Sequence, residues 1–292
     1  MDVANYITSA YFLGSNFPLV CGMEKREKRF RNLTMEQVDM PCNSNNRFQG
    51  RVAVVTGGNR GIGLETARLL AMCGARMSIW ARDVAKMKEA ADELSTLTDV
   101  HFVAVDVASE QDVIDAASST VERLGKVDIL VNNAGILGPS APVGKYKATD
   151  FASVLQVNLM GTFHCSSALV PVMKSNQYGR IVNVSSASGK DGNPFVSAYA
   201  CSKAAQIAFT KSLAKEVATD GILVNSVTPS ASPTEIFGAL DEERSKSLLS
   251  RVPMGRFVEP TEVATLIAWL CSDDCSFSTG ATFDISGGRT TF

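Results

Sequence analysis

Tyr199 and Lys203 stand four residues apart in the segment SAYACSK, and Ser186 lies thirteen residues before the tyrosine. A phenol, an ammonium and a hydroxyl are the parts of an acid/base site. Tyrosine ionises near pH ~10 in water, too high for efficient proton transfer at neutrality. A lysine one helical turn further on projects from the same face, and its charge favours the phenolate. A serine at a strand end can hydrogen-bond a substrate oxygen and polarise it. Upstream lie the glycines of TGGNRGIG and the segment NNAG. In that order the set describes hydride transfer between a nicotinamide and a carbonyl or alcohol carbon. Tyr199 gives the proton in reduction and takes it in oxidation, and neither step needs a metal. Any one piece alone has a plainer meaning, such as a helix-surface tyrosine beside a solvated lysine. The order and spacing of the whole set carry the argument.

These residues must be positioned by regular elements. From Arg51 onward, short β-branched runs alternate with segments of helical spacing: RVAVVT, ARMSIWA, HFVAVDV, VDILVNN, GRIVNVSS, ILVNSVT and ATFDIS read as strands. Helices fit at 62–73, 83–97, 110–124, 150–174, 199–219 and 260–272, with Asp83 as an N-cap. Near-continuous apolar strands separated by helices mean a parallel sheet covered on both faces. The expected fold class is α/β, a Rossmann-type doubly wound parallel sheet of about seven strands with helices on both faces. Residues 49–292 read as one nucleotide-binding domain and residues 1–48 as an N-terminal extension, either a disordered tail or an over-extended gene start. Strand alternation sends Ser185 and Ser186 to opposite faces. The gap to Tyr199 and the following SASG select Ser186.

The cofactor half starts at Gly57-x-x-x-Gly61-x-Gly63, between the first strand and its helix. Glycines allow the tight turn and a close backbone approach to a pyrophosphate, and the helix N-terminus offers unpaired N–H groups. Asn59, Arg60 and Ile62 lie in the same loop and are counted with it. Many folds of this kind put an acid at the end of the second strand to hold the ribose 2′-hydroxyl. Here that position is Ala81, with Arg82 beside it. Arg60 and Arg82 suit a 2′-phosphate instead, so NADP(H) is the expected cofactor, with NAD(H) as the alternative.

TGGNRGIG, the DV pair at 106–107, NNAG, Asn158, SASG after Ser186, YACSK and the late NSVTP fall in one order. In that order the chain resembles the short-chain dehydrogenase/reductase superfamily across nearly all of residues 49–292. It is most similar to the 3-oxoacyl-[acyl-carrier-protein] reductase-like members and their sugar- or polyol-oxidising relatives. The resemblance implies that Asp106 and Val107 frame the adenine and that Asn133, Ala134 and Gly135 line the nucleotide cleft. It further implies that Pro229, Ser232 and Thr234 lie at the nicotinamide. Asn158 would hold a water linking Lys203 to solvent, and Lys203 would bond the nicotinamide ribose. One departure stands out: the family's Pro-Gly is Pro229-Ser230 here. The resemblance implies a homotetramer or homodimer, with the helices around 150–174 and 199–219 as faces.

Bulk properties set the outer bounds. With a net charge of -2, a nucleic acid is not an expected partner. Seven cysteines without a CxxC pair are read as reduced thiols of a cytoplasmic protein, and two histidines give no zinc-site spacing. The extension has no apolar run of ~20 residues and no basic start, so neither a membrane span nor a signal peptide is expected. Substrate walls should come from 137–144, 187–195 and 230–250. The expected substrate is a small carbonyl or alcohol compound, most like a 3-oxoacyl thioester. A sugar, polyol or other secondary alcohol is the alternative. A catalytically silent nucleotide-binding protein is the reading of another class.

Overall fold

The computed structural model describes residues 46–232 and 242–292. The bulk of the extension, and Thr234 among the expected nicotinamide contacts, lie outside the described residues. The strands are β1 (Val52–Thr56), β2 (Arg76–Ala81), β3 (Val100–Ala104), β4 (Ile129–Asn132), β5 (Gly179–Val184), β6 (Ile222–Pro229) and β7 (Thr282–Ile285). They form one seven-stranded sheet in the order β3-β2-β1-β4-β5-β6-β7. Every adjacent pair is parallel. The strand order reverses between β1 and β4, so the crevice opens beyond the carboxyl ends of those two strands, where doubly wound sheets bind ligands.

The helices are α1 (Gly61–Met72), α2 (Val84–Leu94), α3 (Glu110–Leu124), α4 (Ala148–Leu155), α5 (Gly161–Ser175), the short α6 (Ser188–Asp191), α7 (Ser197–Val217), α8 (Glu242–Leu249) and α9 (Pro260–Cys271). Asp83 caps α2 by accepting from the Lys86 N–H at 3.1 Å, and Gly125 ends α3 in the left-handed region. Helices α3, α5 and α7 pack Val113, Leu169 and Leu213 onto Val54, Leu130, Ile181 and Val224 of the sheet. Alternation sends Ala53 and Val55 to the other face, where α1 and α9 lie against each other. The continuous burial of β1, β4 and β5 follows from cover on both sides.

Two expectations are corrected. Phe48 is only 1% exposed, and its N–H donates to the Cys73 carbonyl at 2.8 Å. The packed domain therefore begins ahead of residue 49. Cys165, Cys201, Cys271 and Cys275 are free thiols, but Cys73 is disulfide-bonded, so the seven cysteines are not all reduced.

Candidate active site

The β1–α1 loop carries the glycines for separable reasons. Gly57 and Gly61 have φ of 62° and 52°, conformations that side chains rarely adopt. At Gly63 a Cβ would stand 2.3 Å from the Gly57 carbonyl oxygen and 2.5 Å from Asn133 Nδ2. Gly63 therefore lets α1 seat against the loop, and it does not line the cleft. The residue before α1, Arg60, makes no side-chain cap, and the first turn holds no acid. Its leading N–H groups are thus left for an anion. Gly57, Asn59, Arg60, Gly61 and Ile62 all face a cleft of about 390 Å³.

The NNAG segment is tied to this loop from below. Asn133 Nδ2 donates to the carbonyls of Thr56 and Gly57 at 2.9 and 3.2 Å. The N–H groups of Asn133 and Ala134 both donate to Thr56 Oγ1 at 3.0 Å. Thr56 thus sets the relation of the two loops, a role the sequence reading did not give it. Asn133, Ala134 and Gly135 line the cleft.

At the far end of β2, Ala81 has no carboxylate to offer. Arg82 is largely exposed and stands 3.9 Å from the Asp106 carboxylate. Arg82, Lys86, Asp106 and Val107 all border the cleft there, joining Arg60. Lys86 is a cation that the sequence reading left unassigned. It follows Asp83, the residue that caps its own helix.

The candidate reaction centre lies where β5 meets α7. Ser186 and Tyr199 line one wall with Lys203. The Ser185 hydroxyl instead donates to the Lys203 carbonyl at 2.7 Å, inside the protein. Ser186 Oγ accepts the Ser188 N–H at 3.2 Å and faces Tyr199. Lys203 Nζ donates to the Val184 carbonyl at 2.7 Å and sits 5.7 Å from the Tyr199 ring centroid. Burial pushes the Tyr199 phenol above its ordinary range, and the Ser186 hydroxyl and Arg289 guanidinium pull it back. Burial also pushes Lys203 down to about 7. The expected lowering of the phenol by the lysine is thus not a property of the protein alone. A cation in the cleft, such as an oxidised nicotinamide ring, would add the missing pull.

Asn158 is placed differently from the expectation of a residue facing a water. It lies in a π-helical turn, Gln156–Met160, that joins α4 to α5 and splits the single helix expected over 150–174. Its side chain is buried: Oδ1 accepts from the Ile136 N–H at 2.8 Å, and Nδ2 donates to the Ile136 carbonyl and Ser202 Oγ, each at 2.9 Å. Its own carbonyl accepts from Gln206 Nε2 at 2.9 Å and Thr162 Oγ1 at 2.8 Å. Asn158 clamps the loop after β4 to α7, the helix that carries Tyr199 and Lys203.

At the other side of the reaction centre, Pro229, Ser230 and Ser232 border the cleft. The hydroxyls of Ser230 and Ser232 are buried and have no hydrogen-bond partner among the described residues. Buried hydroxyls without partners are costly. Together with the open N-terminus of α1, they fit a polar dinucleotide lying along the cleft. No group of histidine, cysteine and acidic side chains among the described residues could hold a metal ion.

A crevice at the switch point, a glycine loop and a Tyr–Lys pair define a nucleotide-dependent oxidoreductase. Comparison with known proteins agrees. The family model described as enoyl-(acyl carrier protein) reductase matches residues 57–290. A 2-dehydro-3-deoxy-L-rhamnonate dehydrogenase (NAD(+)) of Sphingomonas sp. (strain SKA58) is 41% identical, over 84% of this chain and 98% of its own. The 3-oxoacyl-[acyl-carrier-protein] reductase FabG of Aquifex aeolicus is 37% identical over 83% of this chain and 98% of its own. Among solved structures, an NAD+-bound xylitol dehydrogenase superposes with a TM-score of 0.79 at 34% identity, covering 82% of this chain and 99% of that one. The 3-ketoacyl-(acyl-carrier-protein) reductase from Brucella melitensis complexed with NADH gives 0.79 at 32% identity, covering 84% and 100%. The chain belongs to the short-chain dehydrogenase/reductase superfamily, close to its 3-oxoacyl reductase-like members. It is an oxidoreductase that moves a hydride between a nicotinamide and a carbonyl or alcohol carbon.

Proposed function

We propose that this enzyme uses NADP(H) and that Ser186, Tyr199 and Lys203 carry its chemistry. The carrying observation is that one continuous cleft joins Ser186 and Tyr199 to Arg60, Arg82 and Lys86, with Ala81 where an acid would repel a 2′-phosphate. The cofactor, when bound, donates or accepts the hydride. Ser186 orients the substrate oxygen by a hydrogen bond. Tyr199 gives that oxygen its proton in reduction and removes it in oxidation. Lys203 would hold the ribose and, as an ammonium, favour the phenolate. Asn158 keeps α7 in register with the loop after β4. Pro229 and Ser232, with Ser230, would meet the nicotinamide amide group.

The 3-oxoacyl thioester reading draws support from the FabG relatives. A second reading, oxidation of a small hydroxylated compound, is favoured by the polar side chains Ser188, Asn193 and Arg289 beyond Tyr199. We also read the enzyme as a cytoplasmic homotetramer or homodimer. Exposed Ile114 on α3 and Phe163 on α5 would be covered in such an assembly, and no described helix is long and apolar enough to cross a membrane. The deciding experiment is steady-state turnover on a panel of oxo esters, oxo acids, sugars and polyols with each of the four nicotinamide nucleotides. Turnover with NADPH or NADP+ at the higher kcat/KM is expected. Tight nucleotide binding with no turnover on any member would favour the catalytically silent reading.

A further inference from the structure

Arg289 takes no part in the hydride and proton transfers above, yet it lines the cleft together with Ser186, Ser188 and Tyr199. It follows Gly287 and Gly288, with φ of 66° and 87°, which turn the chain back after β7. Its side chain is only 7% exposed. Nε and Nη2 donate to the two oxygens of Asp191 at 2.8 and 2.9 Å, a two-point pairing that fixes the guanidinium plane. Nη2 also approaches Ser188 Oγ and the Gly192 carbonyl at 3.5 Å. Nη1 makes no hydrogen bond among the described residues. One edge of the guanidinium is thus held in place, while the other faces the cleft and can donate to a ligand there.

The surrounding charges favour an anion. Lys190 lies 3.5 Å from Asp284, and Asp191 serves Arg289. Arg251 donates to Asn193 Oδ1 at 3.0 Å, and no carboxylate pairs with it among the described residues. Asn193 in turn approaches Ser188 Oγ at 3.5 Å. Beyond Tyr199 the contacts run Arg251, Asn193, Ser188, Arg289, two arginines against the single carboxylate of Asp191, while Lys190 and Asp284 offset each other.

We propose that Arg289 binds a carboxylate of the substrate through Nη1, which makes the substrate a small oxo or hydroxy acid whose reacting carbon lies a few atoms from a free carboxylate. This rests on the hydride-transfer reading and narrows its substrate class. A planar guanidinium held along one edge offers a fixed geometry to a carboxylate, and an acyl thioester has no anion to place there.

The test uses the full-length enzyme loaded with NADP+, so that oxo compounds bind without turning over. Calorimetry compares 3-oxobutanoate, 4-oxopentanoate and 5-oxohexanoate with their methyl esters. At least one acid should bind about tenfold or more tightly than its ester, as expected for one hydrogen bond to a charged group. Arg289→Met should remove that gap, and Arg289→Lys should retain part of it. A wild-type protein with no acid preference for any pair overturns the proposal, as does a gap that survives in Arg289→Met. Equal weakening of acid and ester in both variants would assign Arg289 to the shape of the cleft or to Tyr199 alone, and also overturns it. Should Arg289→Met fail to fold, the wild-type comparison and Arg289→Lys decide. Turnover of the esters with NADPH is scored separately. Esters reduced without any acid preference sink only this inference, whereas no turnover on any compound sinks the hydride-transfer reading.

Discussion

Replacing Arg82 by alanine, and then adding Ala81→Asp, should move cofactor preference from NADP(H) to NAD(H). Arg82 is 63% exposed and spends part of its field on Asp106 at 3.9 Å. For a charge so exposed the aqueous end of the Coulomb range applies, about 1 kcal/mol per unit charge at ~4 Å. A 2′-phosphate carries nearly two charges, so Arg82→Ala should cost about 1–2 kcal/mol, a roughly fivefold to thirtyfold weaker NADPH complex. NADH binding should not change. Ala81→Asp adds about 1 kcal/mol of repulsion against the phosphate and a hydrogen bond of similar size to the 2′-hydroxyl of NADH. The double variant should then shift the ratio of the two dissociation constants by about a hundredfold or more. Fluorescence titration of both reduced cofactors measures this. Repeating it at roughly 0.05 and 0.5 M salt should shrink the Arg82 contribution. A wild-type enzyme that binds NADH as tightly as NADPH would refute the reasoning, as would Arg82→Ala leaving NADPH binding within about twofold.

Gly63→Ala would put a Cβ 2.3 Å from the Gly57 carbonyl oxygen. It should displace α1 from the loop and weaken both cofactors together by at least about tenfold, about 1.4 kcal/mol, in a protein that still folds; unchanged titrations would contradict the packing role. Lys203 is pushed down to about 7 in the folded chain, while unfolded it keeps its proton to about 10.4. Between those values the unfolded state binds more protons, so the stability of the cofactor-free enzyme should rise with pH. Melting temperatures from pH ~7 to ~9.5 test this, the upper bound avoiding tyrosine ionisation. Lys203→Met should flatten the rise, and an equal rise in both proteins would refute the assignment. Phe48→Ala should cost about 3–5 kcal/mol, as for a large buried aromatic, and lower the Tm by roughly 10 °C. A drop under ~3 °C would show that Phe48 adds little to the domain.

Most of the scaffold was legible because its strands are apolar on both faces and its helices keep their period. Asp83 and the span 110–124 needed no tertiary information, since caps and periodicity are local. The π turn around Asn158 was not legible. Nothing in QVNLM differs from an ordinary helix, and the turn is supported by contacts from Ile136, Ser202 and Gln206. Helix α8 was hidden in a charged stretch read only as a substrate wall. Phe48 is buried and its N–H bonds the Cys73 carbonyl, a long-range placement that no local pattern announces. Within the cleft, the spacing rules pointed to lining residues that follow strand ends. They missed Arg289, whose place depends on how Gly287 and Gly288 fold the chain back. An arginine directly after paired glycines behind the last strand was the available signal.

The claim that Tyr199 transfers the proton is tested most directly by Tyr199→Phe, which deletes one hydroxyl from a buried ring. Turnover on the best substrate and the NADPH dissociation constant should be measured on the same preparation. General acid/base catalysis contributes about 10²–10⁴-fold, so kcat should fall at least about a hundredfold while NADPH binding stays within about threefold. Turnover near the wild-type rate, with binding intact, would contradict the assignment of the chemistry to Tyr199.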